Sequence, residues 1–451
     1  MTLETRSVET ADGSNADRGA VLNSLWLRAW QGASVLITIP LVLRYLDAEN
    51  QGLYYLFLSV ASTQSFFEMG LGLITTIRAS HEWIGLRVAV DGSVQGPQRM
   101  RAKLTKICRI SLTFTSAAAL VFLTVAIIAG TRFMDAGAVS HGDHVTVFFI
   151  YIALMSCVMV LSSMIAVVEG CNQVGAAAIF RLIQSVVGAI TLWLALLQGC
   201  GIQSLVFQAT SSLICSAIYI FLWRRRFFAS VYLSEPDDVL SWKTDFFPHQ
   251  WRLATQSIFN LLAFPFFQFL SFTALGPVES GKLGLTLQIA LGVQGLSLVF
   301  ISAKVPHLSM LAARGDRDLV RREWRRQLAK SVVFMLVCFS ACLLALGMIA
   351  RGYESYYLRV LGIRETALLF GGLLATAYIY GVASIVRAHK MERFTVVGVF
   401  AGVAYSSAAV ALCGSMGNLG IALAYALVTL LFVLPASRYV MKAFEAEHLR
   451  A

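Results

Sequence analysis

The chain is built from long apolar runs with few charges, such as "ISLTFTSAAALVFLTVAIIAG" (110–130) and "SVVFMLVCFSACLLALGMIA" (331–350). At about 1.5 Å of helical rise per residue, roughly 20 residues cross a hydrocarbon core of about 30 Å. Inside lipid, an unpaired backbone N–H or C=O costs several kcal/mol, so each run must close its own hydrogen bonds as a helix. The runs divide into twelve spans. The first six cover 21–46, 52–78, 107–130, 144–169, 172–199 and 200–223; the second six cover 248–273, 278–303, 329–350, 364–388, 392–413 and 417–441. Only 14% of residues are charged, against about 25% in soluble domains, and the connections are too short to hold a soluble domain.

Cytosolic loops of membrane proteins carry excess Lys and Arg. With both termini inside, the cytosolic segments hold 28 of the 36 basic residues. Six (Arg44, Arg132, Lys282, Arg351, Arg359, Arg364) fall outside, and Arg28 and Arg181 lie within spans. The domain expectation is a disordered cytosolic tail (1–20), an N-terminal six-helix bundle (21–226), a cytosolic linker (227–247), a C-terminal six-helix bundle (248–441) and a second tail (442–451). Residues 1–20 lack the apolar core of a cleaved signal. The net charge of +11 does not form a basic and aromatic face on a soluble module, so nucleic acid is excluded as a partner. Cys108, Cys157, Cys215, Cys338 and Cys342 sit inside spans without metal-ligand spacing and serve as small hydrophobes. In "ARGDRDLVRREWRRQLAK" (312–329, then Lys330), Leu319, Val320, Trp324 and Leu328 share one helical face amid basic residues. This predicts an interfacial helix on anionic lipid.

The segment "YLDAENQGLYYLFLSV" (45–60) is echoed half a chain later by "ALGPVESGKLGLTLQI" (274–289). Leu46, Gly52, Leu56 and Leu58 align with Leu275, Gly281, Leu285 and Leu287. Each copy reads as a span end, a tight outside turn and the start of the next span. Together with the six-plus-six count, this predicts an all-α polytopic membrane protein of twelve transmembrane helices in two six-helix bundles, related by a parallel repeat, with both termini cytosolic.

Polar groups inside the spans are the candidates for function, because a charge at mid-helix costs at least about 2.5 kcal/mol on insertion scales. Arg28 precedes Glu49, at the centre of the outside turn, by nearly as many positions as Glu68 follows it. The first two helices run antiparallel, which brings Arg28 and Glu68 to nearly the same depth. A carboxylate out of water needs a proton or a cation, so the pair is either a structural clamp or part of a gated site. Arg181 falls in the same layer. Gln31 and Gln184 follow the two arginines at i+3, on the same helix faces, and Gln64 precedes Glu68 at i−4. The matching layer of the second half is neutral: Gln256, Asn260, Gln288 and Gln294. Two guanidinium groups in one cavity suit a phosphate or pyrophosphate; snorkelling to the interface is the alternative for the arginines, and interhelical hydrogen bonding for the amides.

Other constellations point elsewhere. "HGDH" (141–144) sits in an outside loop with no further ligands, so no metal and no cofactor is expected. No Ser/His/Asp set or paired acid suggests an enzyme. The short outside loops also disfavour a membrane glycan polymerase or ligase.

The N-terminal hairpin, with "QGLYYLFLSV" after an acidic turn and then Glu68-Met69-Gly70-Leu71, resembles that of Wzx-like polysaccharide flippases of the multidrug/oligosaccharidyl-lipid/polysaccharide exporter superfamily. Their "YG" is replaced here by Gln51-Gly52, and "EMGL" stands where "DLGL" is usual. "VVEGCNQVGAAAIFRLIQSVVGAITLWLALLQGCG" (167–201) resembles that family's fourth-to-fifth span junction. The resemblance implies transfer of undecaprenyl-pyrophosphate-linked oligosaccharide across the bacterial cytoplasmic (inner) membrane by alternating access, for surface polysaccharide. It implies head-group contact at Arg28 and Arg181, and a charge-partner or ion-coupling role for Glu68. Substrate contacts are expected at Gln31, Gln184, Gln256 and Asn260. Lipid-linked oligosaccharide, anionic membrane lipids and polysaccharide polymerase machinery are the implied partners. The drug/cation antiporters of the same superfamily usually carry a carboxylate in the first span, where this chain has Arg28.

Overall fold

The structure is a computed structural model. It describes residues 23, 26–27, 29–136, 143–232, 240–305, 308, 310–311, 316–388 and 393–449, without the side chains of 136, 249, 252, 255–257, 259–260, 317, 388 and 448–449. Arg28, His141 and Gly142, and the side chains of Gln256 and Asn260, lie outside that description.

Among the described residues, the secondary structure is helical apart from one short hairpin. Among the described residues, nine helices are long and apolar enough to cross a membrane, which makes this a polytopic membrane protein. They coincide with predicted spans three to six and eight to twelve. In chain order the elements begin with α1 (29–45), α2 (Ala48–Ser62), α3 (Gln64–Glu68) and α4 (Leu71–Glu82). The hairpin β1 (Arg87–Val88) and β2 (Val94–Gln95) precedes α5 (Gln98–Ala136), α6 (Asp143–Gly170), α7 (Val174–Leu197), α8 (Ser204–Ala217) and α9 (Arg225–Tyr232). The second half has α10 (Phe247–Leu261), α11 (Phe264–Leu275), α12 (Pro277–Ser302), α13 (Arg317–Gly352), α14 (Glu354–Tyr357), α15 (Ile363–Ala388), α16 (Thr395–Met416), α17 (Asn418–Val428) and α18 (Leu434–Phe444).

Predicted spans two and seven are interrupted helices. In the second, Met69 (φ 50°) and Gly70 (φ 68°) are both left-handed, which ends α3 and starts α4 in a new direction. In the seventh, Ala263 leaves the helical region and Pro265 follows inside the first turn of α11. Proline has no N–H to offer and its ring clashes with the preceding turn, so α10 cannot run on.

Contacts divide the chain into two compact units. One comprises the described residues within 23–30, 60–132 and 143–257; the other comprises those within 31–59, 133–136 and 258–449. The outer part of the first hairpin thus clusters with the second half of the chain, across the expected boundary between 21–226 and 248–441.

In the first unit, Phe180 stacks on Tyr219 with ring centroids 4.3 Å apart, over a core that includes Leu104, Cys108, Ile165 and Val168. α4 and α6 approach so closely that a Cβ on Gly170 would lie 2.5 Å from the Thr76 carbonyl oxygen. The Thr76 hydroxyl donates to the Ala166 carbonyl there. Such small-residue contacts are how helices pack where lipid removes the hydrophobic drive.

In the second unit, Phe267, Tyr405 and Tyr425 form one aromatic cluster, and Phe339 stacks on Phe370 at 4.1 Å. "DAENQG" is the start of a helix rather than the predicted turn. The bend is at Leu46–Asp47, and Asp47 accepts from the Asn50 amide at 2.7 Å, which pairs an otherwise orphaned helix-end N–H. Likewise "GPVESG" opens α12, with Gly276 at φ 86° before Pro277.

These two helix starts meet. A Cβ on Gly52 would fall 2.0 Å from the Pro277 oxygen, and one on Gly281 would fall 3.4 Å from the Ala48 oxygen. Ala48 and Pro277 are separated by the same sequence offset as Gly52 and Gly281. Reciprocal contacts of this kind are the mark of a two-fold relation, so the weak repeat in sequence is matched by local symmetry in space.

From Arg317 on, the stretch predicted to lie on lipid is instead the N-terminal end of the continuous helix α13. Val320 and Trp324 are buried against Val382, Ile385, Val386, Val440 and Phe444. The Trp324 indole donates to the Gly381 carbonyl at 2.9 Å. Most of the apolar face is therefore covered by protein. Leu319 stays exposed, together with Arg322, Arg325, Arg326 and Lys330.

Candidate functional site

The break after Glu68 is the most unusual feature inside a predicted span. α3 closes with the Met69 N–H donating to the Phe66 carbonyl at 3.2 Å, and the chain then turns away. The Glu68 carboxylate, partly buried, stands at that end. Among the described residues it has neither an ion pair nor a hydrogen bond. One turn earlier, the buried Gln64 Oε1 also lacks a described partner. Gly70 supports the break from behind: a Cβ there would come 2.6 Å from the Leu253 side chain. Oxygens with no donor among the described residues, gathered at an unwound point of a span, can hold a proton or a small cation.

Arg181, also in the first unit, is placed by α7. Its Nη2 lies 2.7 Å from Glu169 Oε2, and its side chain is 42% exposed. Helical side chains lean toward the helix N-terminus, here the end predicted to be cytosolic. That lean carries the guanidinium to the last turn of α6, where Glu169 waits. The turn between them is made by Asn172 in the left-handed region (φ 59°), a conformation Asn tolerates better than most residues. Gln184 points into the α7–α8 packing, where its Nε2 donates to the Ser212 carbonyl at 3.1 Å and the Ser216 hydroxyl at 2.9 Å.

The remaining predicted residues divide by unit. Gln31 belongs to the second unit and is exposed. Gln288 accepts from the Tyr55 hydroxyl at 2.7 Å and Gln294 donates to Thr376, so both are engaged in helix packing. Arg28 and the side chains of Gln256 and Asn260 are outside the described residues, and the Arg28–Glu68 pairing with them.

Two features escape a sequence reading. Glu169 lies at the edge of a span, where acids are common, and only its place just across the connection from the Arg181 span hints at a pair. Arg359 fell among six scattered outside cations. In the structure it donates to the carbonyls of Leu43 (2.6 Å) and Asp47 (3.1 Å) and to Gln51 Oε1 (2.6 Å). Gln51 in turn donates to the carbonyls of Gly281 (2.9 Å) and Arg359 (3.0 Å), so the reciprocal helix contact is locked by a fully used amide.

Several solved structures share the fold at low identity. An inward-facing multidrug resistance MATE family transporter of the MOP superfamily has 14% identity and a TM-score of 0.64, with 94% of this chain and 99% of that one covered. The lipid II flippase MurJ in an inward closed conformation has 12% identity and a TM-score of 0.64, covering 95% and 87%. A MOP superfamily transporter from Pyrococcus furiosus has 13% identity and a TM-score of 0.56, covering 94% and 96%. No curated protein matches the chain. The family model for polysaccharide biosynthesis proteins matches residues 21–312. That match spans both the hairpin with the Glu68 break and the Glu169–Arg181 junction, and the chain belongs to the polysaccharide biosynthesis protein family.

Proposed function

We infer that the chain moves undecaprenyl-pyrophosphate-linked oligosaccharide units from the inner to the outer leaflet of the bacterial cytoplasmic membrane, as a Wzx-like flippase. The observation that carries this reading is the family match over 21–312, in a chain whose fold is shared by MOP superfamily transporters. In this reading Arg28 and Arg181 offer guanidinium groups to the pyrophosphate, and Gln31, Gln184, Gln256 and Asn260 are the further polar residues proposed to meet substrate. Glu68 at the helix break takes up the coupling cation or proton. The exposed arginines of α13 hold the cytosolic face against anionic lipid headgroups, and polymerase machinery receives the flipped units.

Deletion of the gene tests the reading. Lipid-linked repeats should accumulate on the inner leaflet while surface polysaccharide disappears, and a plasmid copy should restore export. Normal surface glycan in a deletion strain that holds no second flippase would refute it.

A further inference from the structure

At the end of the second unit predicted to face outward, three connections surround a half-open cavity of about 320 Å³, within the roughly 300–1,000 Å³ of small-molecule sites. Its walls come from the start of α12, the α14–α15 connection and the α16–α17 turn. None of these residues belongs to the Glu68 or Arg181 neighbourhoods.

The polar wall is organised. Lys282 Nζ lies 2.6 Å from Glu279 Oε1. The Asn418 amide donates to Glu279 Oε2 at 3.0 Å and to the Glu279 carbonyl at 3.0 Å. The Ser271 hydroxyl fixes that amide by donating to its oxygen at 2.8 Å. The opposite wall is open for ligand. Among the described residues, neither the Glu365 carboxylate nor the Tyr357 hydroxyl has a hydrogen-bond partner. The apolar lining includes Leu361, which is buried, and Met416, which is exposed. Lys282 keeps N–H donors beyond its bond to Glu279, Glu365 supplies acceptors, and Tyr357 supplies both.

A sugar ring has this duality: hydroxyls that donate and accept around its rim, and C–H groups on its faces. Two carboxylates against one ammonium make the cavity net negative, which disfavours uronic or phosphorylated sugars. We propose that this cavity is a saccharide-binding site for a neutral sugar residue on the outer face. The proposal rests on the glycan-transport reading for its biological sense, but its chemistry is read from the cavity alone.

Saturation-transfer NMR on the purified full-length protein in nanodiscs tests it, with free glucose, galactose, N-acetylglucosamine and glucuronate as probes. At least one neutral sugar should bind saturably in the millimolar range, and more tightly than glucuronate. Glu365→Gln should weaken that binding at least about fivefold, since a hydrogen bond to a charged group contributes about 1.5–3 kcal/mol. Met416→Trp, which fills the cavity, should abolish it, with thermal stability confirming that both variants fold. Absence of saturable binding by every neutral sugar, stronger binding of glucuronate, or wild-type binding by a folded Met416→Trp protein would each overturn the site. Failure of binding in a chain whose deletion still accumulates lipid-linked glycan refutes the cavity alone. A saturable neutral-sugar signal with normal surface glycan in the deletion strain refutes the transport reading alone.

Discussion

Arg181 and Glu169 show why an ion pair within a predicted span need not be there for stability. The arginine is 42% exposed, and exposed pairs contribute only about 0.2–1 kcal/mol. Two charges on a lipid-facing surface at mid-bilayer would cost far more than that to insert, so such a pair belongs either in a polar space or at the interface. If Arg181 serves the pyrophosphate, Arg181→Ala should cut export about tenfold or more while thermal stability changes little, because a charge-assisted contact is worth about 1.5–3 kcal/mol. Glu169→Gln frees the guanidinium and should shift substrate affinity in a transport assay without abolishing turnover. If Arg181 only anchors the helix near the interface, both variants export normally, and that outcome would remove it from the substrate path. Glu68 differs in having no described partner. Its role is bound to the backbone around it, which moves the question to the helices.

At the scale of elements, the breaks and the contacts between helix starts decide the geometry. Hydropathy reports span length well but says little about continuity, since a broken helix is as apolar as a straight one. The break at Met69–Gly70 had a visible sign in Gly70, and that at Ala263 had one in Pro265. Neither sign distinguishes a kink from a tolerated residue without the neighbouring helix, here Leu253 behind Gly70. The "DAENQG" motif misled for a related reason. Polar residues suit a turn and a capped helix start equally, and Asp47 chooses the second by accepting from the Asn50 amide. The repeat was legible because Gly52 and Gly281 must both be small: each is pressed by the backbone of the other copy's helix start. Gly52→Val should therefore be among the most damaging single changes. Its Cβ would meet a backbone oxygen rather than a flexible side chain, and forced separation of packed elements costs about 1–3 kcal/mol or more. Thermal unfolding in detergent should register a clear drop for Gly52→Val. A substitution at Gly295, where nothing lies within 4 Å of an added Cβ, should stay near wild type. Equal stability of the two variants would contradict the close approach.

At the scale of the whole molecule, orientation in the membrane is the property that every functional statement depends on. The fold class follows from physics that leaves few options, because lipid permits helices and little else for runs of this kind. The expected orientation rests on charge placement alone: with both termini inside, 28 of the 36 basic residues would lie on the cytosolic side. The structure supplies positions at which that expectation can be probed. The hairpin at residues 87–95 and the basic end of α13 should be cytosolic; Glu354, exposed at the start of α14, should be outside together with the proposed sugar cavity. A cysteine-free background makes this measurable, because the cysteines are free thiols and none holds a disulfide whose loss would disturb the fold. Glu354→Cys should react with a membrane-impermeant maleimide in intact cells. Ser93→Cys, in the turn region of the cytosolic hairpin, should react only after the membrane is opened. The reverse pattern would invert the molecule. The basic face of α13 would then meet the outer surface, the proposed saccharide site would face the cytosol, and the direction of transport assigned to the chain would fail with them.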